Sequence, residues 1–238
     1  MRSTLRQAQG SACSVSMTLL QRFVCSTLQV GTRLLCRIER QPLQKVPKRG
    51  PLILVTNHIG SLEVPLLFVH LQPRPLTGFA KIETWDNGFM GWLFDLWGAI
   101  PIRRGEADMD ALRKGFAALE QGRILAISPE GTRSWHGRLL RAHPGVVIIA
   151  LHSGAPILPI AHWGGENFNS NLKRLKRTDF HSAVGKPFRL QVNEKLTHEM
   201  RQQIADEIMY QIAALMPEAY RGEYAEMSKA TKKFLKFS

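Results

Sequence analysis

The stretch LVTNHIGSLEVPLL, Leu54 to Leu67, opens on the end of an apolar run rich in β-branched residues and closes on the apolar start of a helix. Upstream it continues as PLILVTNH, which reads as a buried strand. Downstream, SLEVPLLFVHL reads as a helix, with Ser61 as its expected N-cap and Pro65 in the first turn, where a missing N–H costs little. A strand feeding a helix through a short polar turn is one unit of a layered α/β domain. The turn carries His58 and, five positions on, Glu63.

The same alternation runs through the chain. LTGFAKI is an expected strand, TWDNGFMGWLFDLWG a short aromatic helix and AIPIRR a strand. DMDALRKGFAALEQG is a helix stopped by Gly122, and RILAIS another strand. PGVVIIALHSG is helical up to Gly154, PILPIAHW is a strand, DFHSAVGKPF holds a further short one, and residues 197–216 form a long helix. The expected fold class is α/β: a mixed, largely parallel sheet flanked by helices, with an N-terminal amphipathic helical segment. That segment is 15–41, where Leu20, Phe23, Val24, Leu28, Leu35 and Ile38 recur near helical spacing. It either docks on the core or lies in a membrane interface, and we take it as membrane-associated. Residues 1–14 are expected to be disordered, with Met17 an alternative start. Residues 42–222 form the main domain and 223–238 a basic C-terminal tail. Trp85, Phe89, Trp92 and Trp97 are expected mainly in the core.

The 238 residues are 44% hydrophobic and 21% charged, an ordinary folded composition. The charge is not ordinary. Lys and Arg number 32 against 19 acids, a formal +13. Such an excess attracts nucleic acid, anionic membrane or phosphate-bearing substrates. The basic run KRLKR, Lys173–Arg177, has no interleaved aromatic residue, which argues against nucleic acid. It and the lysines from Lys229 to Lys236 suit a negative leaflet, though a merely solvated basic face explains each run equally well. Three cysteines, Cys13, Cys25 and Cys36, are too few and too clustered for a disulfide framework, so a reducing compartment is expected. No metal-type Cys/His spacing occurs, and no apolar run reaches membrane-spanning length.

Four polar clusters fall at expected strand ends, where ligands collect in open α/β sheets. They are His58–Glu63, Arg103–Arg104, Ser128–Arg133 and the region of Pro159. Histidine takes a proton near neutral pH, and a carboxylate on one ring nitrogen orients it; taken alone, the pair is better explained as a polar loop whose acid answers the helix dipole. Two arginines leaving a strand make an anion site, or a solvated basic turn. In SPEGTRS, Gly131 permits a tight turn, Thr132 and Arg133 suit phosphate oxygens, and Glu130 suits an arginine or a substrate hydroxyl; a polar loop with a structural ion pair explains the block equally well. His136 and His143 flank that block.

Together these blocks resemble the glycerolipid acyltransferases that act on 1-acylglycerol-3-phosphate and related lipids. NHIGSLE stands for that family's N-H-x-x-x-x-D block, IPIRR for its arginine block, SPEGTRS for F-P-E-G-T-R-S and APILPIA for its proline block. The resemblance covers about residues 50 to 165. Glu63 replaces the family aspartate, and Ser128 its aromatic residue.

The resemblance implies acyl transfer from a thioester to a lipid hydroxyl, with His58 and Glu63 catalytic and no acyl-enzyme. Arg104, Arg133 and Arg103 would bind substrate phosphate, and Glu130, Gly131 and Thr132 would shape the acceptor pocket. It implies no cofactor beyond acyl-CoA or an acidic acyl-carrier protein as co-substrate. The implied partners are a lysophospholipid and an anionic membrane surface, at the cytoplasmic face. Another lysolipid, glycerol-3-phosphate or an aminolipid as acceptor, and an inactive membrane-binding relative, stay open as alternatives.

Overall fold

The computed structural model describes residues 17–39, 41–106 and 108–237. The stretch 1–14 lies outside them. Among the described residues the strands form one sheet of nine, whose main path runs β1-β7-β6-β2-β5-β3-β4. The strands are β1 (Cys36–Ile38), β2 (Leu52–Thr56), β3 (Leu76–Lys81), β4 (Ile100–Ile102), β5 (Ile124–Ile127), β6 (Ile157–Trp163), β7 (Thr178–Val184), β8 (Phe188–Leu190) and β9 (Leu235–Phe237). The helices are α1 (Leu19–Leu35), α2 (Glu63–His70), α3 (Gly88–Leu96), α4 (Met109–Glu120), α5 (Gly145–Ser153), α6 (Phe168–Lys173) and α7 (His198–Ala213).

Strands β6, β2, β5, β3 and β4 are mutually parallel, which demands helical crossovers. Strand β2 is central and buried at every position. Strand β7 runs antiparallel to β6, and β1 lies parallel to β7 at the sheet edge. The fold class is therefore the mixed, largely parallel α/β sheet expected. One apolar cluster joins α5 and α7 to one sheet face. A second joins α2, Trp97 and the inner side of α1 to the other.

Several local expectations change. Helix α2 starts at Glu63, with Leu62 at the cap and no side-chain cap bond. Ser61 does not cap it, because the Glu63 carboxylate itself reaches back to the Gly60 N–H at 2.9 Å. Helix α1 stops at Leu35, where periodicity had carried it on. Pairing of Cys36–Ile38 with β7 overrides helical preference there. The aromatic stretch is two pieces, a 3₁₀ turn at Ile82–Asp86 and α3, capped by Asn87. Trp97 is buried and stacked on Phe68 at 4.8 Å. Phe89 and Trp92 of the same helix are instead 67% and 43% exposed.

The basic C-terminal stretch extends the domain. Glu207 of α7, almost fully buried, accepts the N–H groups of Lys233 and Phe234 at 2.9 and 3.1 Å and a bond from Thr231. Phe234 and Leu235 thereby enter the core, and β9 completes a pair with β8.

Candidate active site

Three of the four clusters rise from the same edge, because the strands that precede them are parallel; Pro159 instead lies within β6, paired with Val55, and not at a strand end. His58 leaves the end of β2, Arg103 and Arg104 leave β4, and Ser128–Arg133 leaves β5. Since β2 and β5 are neighbours, their two loops meet.

His58 Nδ1 makes a short contact with Glu63 Oε1. The His58 side chain keeps 15% of its exposure and Glu63 only 2%. Burial pushes Glu63 upward. The hydrogen bond from His58, the His58 charge and the backbone N–H groups outweigh it and hold the carboxyl below its ordinary range. An ionised carboxylate on Nδ1 makes that nitrogen the donor, so in the neutral imidazole it is Nε2 that carries the lone pair. The longer glutamate thus reaches the imidazole, with Gly60 N–H fixing the same oxygen.

Glu130 does something that sequence reasoning did not assign. It is 1% exposed. Its Oε2 accepts the backbone N–H of His58 at 2.7 Å and its Oε1 that of Leu140 at 3.0 Å. It binds main chain, and no arginine. Burial raises it to about 7, against the lowering effect of those two hydrogen bonds and with Glu63 adding repulsion. Two further main-chain bonds lace the loops together: Ser134 N–H to His58 O and Trp135 N–H to Ile59 O, both 2.8 Å.

Arg104 and Arg133 come within electrostatic reach of each other. Burial lowers the Arg104 guanidinium first and the Arg133 charge lowers it further, while Glu83 opposes. Two cations held together at exposed positions form a place for an anion. Arg133 also lies over the Trp135 ring at 5.3 Å. The backbone N–H of Arg103 donates to Asp108 Oδ2 at 3.0 Å, and the Arg103 charge acts on that carboxylate. Gly131 sits at φ +66°, and a Cβ there would lie 3.0 Å from the His143 ring. Glu130 and Thr132 join Leu140, Arg141 and His143 around a cleft of about 420 Å³. His136 bonds into its own turn, taking the Arg138 N–H at 3.1 Å. A larger cleft, about 740 Å³, lies along α7 and shares Arg141 and Gln202 with the smaller one.

Three further residues shape the site. Asn57 clasps the main chain of His162 on β6, donating to its O and accepting its N–H, both at 2.8 Å. His162 is 1% exposed, with Nδ1 against Ser182 Oγ at 2.9 Å. Burial pushes its imidazolium down to about 4, although the Glu63 charge pulls it up. Trp135, at φ 58°, lays its ring over Gly60. Asn57 stands inside the quoted block and could have been suspected there; His162 and Trp135 carried no signal of their own. Among the described residues no group of three or more His, Cys, Asp or Glu could hold a metal ion.

A histidine and carboxylate at the carboxyl edge of a parallel sheet, with two exposed arginines on loops leaving the same edge, suit general-base chemistry on an anionic substrate. Residues 37–163 match the family model described as Acyltransferase, and the chain belongs to that family. It is 34% identical over 121 residues to the lyso-ornithine lipid O-acyltransferase of Pseudomonas aeruginosa, covering 48% of this chain and 43% of that protein. It is 28% identical over 127 residues to the 1-acyl-sn-glycerol-3-phosphate acyltransferase of Borreliella burgdorferi, covering 52% and 50%. The chain spans about half the length of these curated relatives. The solved 1-acyl-sn-glycerophosphate acyltransferase of Thermotoga maritima shares the fold, with a TM-score of 0.58 and 21% identity over 79% of this chain and 77% of that one.

Proposed function

We propose that the protein is an O-acyltransferase that moves a fatty acyl group from a thioester to the free hydroxyl of 1-acylglycerol-3-phosphate, making phosphatidic acid for phospholipid synthesis. The observation that carries this reading is the His58–Glu63 pair, with the segment after Arg133 bonded to His58 O and Arg104 within electrostatic reach of Arg133. Nε2 of His58 takes the hydroxyl proton as the oxygen attacks the thioester carbonyl. Glu63 stabilises the imidazolium that results. The carbonyl re-forms, the thiolate leaves, and the proton on Nε2 passes to it. No acyl-enzyme and no cofactor are needed, and acyl-CoA or acyl-carrier protein serves as co-substrate. Arg104 and Arg133 hold the acceptor phosphate, and Gly131 and Thr132 shape its surroundings. Arg103 belongs at the margin of this site.

The lyso-ornithine lipid relative supports a second reading, with an aminolipid as acceptor. The paired arginines favour phosphate. Among the described residues no helix is long and apolar enough to cross a membrane. Helix α1 nevertheless has two apolar sides. Val24 and Leu28 pack inward, while Leu19, Phe23, Val30 and Leu34 form an outward stripe, each more than half exposed. We place that stripe against a leaflet at the cytoplasmic face, where the buried, free Cys25 and Cys36 stay reduced.

The test is thiol release and lipid identification with acyl-CoA and 1-acylglycerol-3-phosphate, followed by acyl-carrier protein and other lysolipids. Phosphatidic acid from the wild type and none from His58→Ala supports the reading. Acylation confined to lyso-ornithine lipid moves the acceptor to the second reading, and near-normal turnover by His58→Ala sinks the mechanism.

A further inference from the structure

The turn between α6 and β7 holds a leucine where neither conformation nor solvent favours one. Leu175 is 94% exposed and sits at φ 52°. It ends α6 in the left-handed conformation that usually selects glycine. Main-chain bonds fix the turn: Arg174 and Lys176 N–H to Asn171 O at 3.0 and 2.9 Å, and Leu175 N–H to Leu172 O at 3.1 Å. Leu172, beside it, is 42% exposed.

Around this apolar tip stand Lys173, Arg174, Lys176 and Arg177, all exposed. Arg177 Nη2 reaches the carbonyls of Arg33 and Cys36, both at 2.7 Å, and so ties the turn to the end of α1. Lys173, Arg174 and Lys176 remain available. The acids on the neighbouring edge are engaged, Asp179 with Arg37 at 3.1 Å and Glu39 with His181 at 3.3 Å. The tip therefore adjoins the helix end that exposes Val30 and Leu34.

We propose that the turn Leu172–Arg177 is a second membrane contact, in which Leu175 enters an anionic leaflet and the basic residues around it meet the headgroups. A nucleic acid backbone would use the charge but leaves the leucine in water. An apolar phase recovers the exposed surface, a gain that offsets the standing cost of the left-handed backbone. The contact concerns docking alone, so it stands or falls separately from acyl transfer.

The experiment is flotation of the full chain with vesicles of phosphatidylcholine, with and without phosphatidylglycerol. Leu175→Gly should unfold at the same or a higher temperature, since glycine suits the turn. Its partitioning onto anionic vesicles should nevertheless fall about fivefold. Lys173→Glu/Lys176→Glu should lose about fivefold for each charge, and its residual binding should depend less on phosphatidylglycerol. Wild-type binding by Leu175→Gly overturns the proposal. If the charge variant alone loses binding, the turn meets the headgroups by charge only and the entry of Leu175 into the leaflet is overturned.

Discussion

The carboxylate of Glu130 receives the main-chain N–H of His58 at 2.7 Å. Residues 72 positions apart are thus joined at the point where the imidazole leaves the sheet. The other oxygen of Glu130 holds Leu140, so one buried carboxylate ties the β2 loop to the segment after β5. Its role is positioning.

Glu130 and His162 oppose one another in stability against pH. Glu130, raised to about 7 from an ordinary 4.5, keeps its proton in the fold after the unfolded chain has lost it, so its contribution falls as pH rises across that window. His162, lowered to about 4 from 6.5, stays neutral in the fold while the unfolded chain protonates, so its contribution falls as pH drops across that window. Each effect is about 3 kcal/mol at full extent. Glu130→Gln should uncover the His162 slope: urea unfolding from pH 4.5 to 6.5 should show stability rising more steeply than in the wild type. An unchanged profile would refute this.

His58→Ala should lower kcat by about 10²- to 10⁴-fold, the usual range for loss of a general base. Glu63→Asp should lower kcat with little change in KM, because the shorter arm cannot hold both Nδ1 of His58 and the Gly60 N–H. Steady-state kinetics with acyl-CoA separates the two parameters. A rise in KM alone would assign Glu63 to substrate binding.

Arg104→Ala and Arg133→Ala should each raise KM for a phosphate-bearing acceptor by about ten- to a hundredfold, the worth of a charge-assisted hydrogen bond. Arg103→Ala should change little, because its charge faces Asp108. Equal effects at all three positions would count against the pairing.

Gly131→Ala should cost about 1–2 kcal/mol. The new methyl group would meet both a φ of +66° and the His143 ring at 3.0 Å. Thermal unfolding of Gly131→Ala alone and combined with His143→Ala divides the backbone part from the steric part. Full rescue by the second change would mean that the backbone contributes nothing.

What could be read in advance was local. Short apolar runs between glycines and prolines marked the parallel strands, and the five-residue gap from His58 to Glu63 was bridged as the chemistry required. What escaped depends on distant partners. Asn57 and His162 are 105 residues apart, so their clasp left no trace in either segment. Helix α1 ends early because β7 captures Cys36. A glutamate in SPEGTRS suggests a substrate contact, and only the fold shows that both its oxygens are taken by main chain.

Helix α1 is fastened at its C-terminal end twice, by Arg177 on its last carbonyls and by β1 zipped to β7. At its N-terminal end Gln21 grips Leu96 O at 2.8 Å. It cannot swing like a tethered arm without opening the sheet edge. On the proposed seating of α1 against a leaflet, His58 would keep a constant height above the lipid plane, and the acceptor would have to climb to meet it. Reach then depends on how far a single-chain lipid can rise while its tail stays immersed, which makes altitude a filter on substrates, separate from the shape of the pocket.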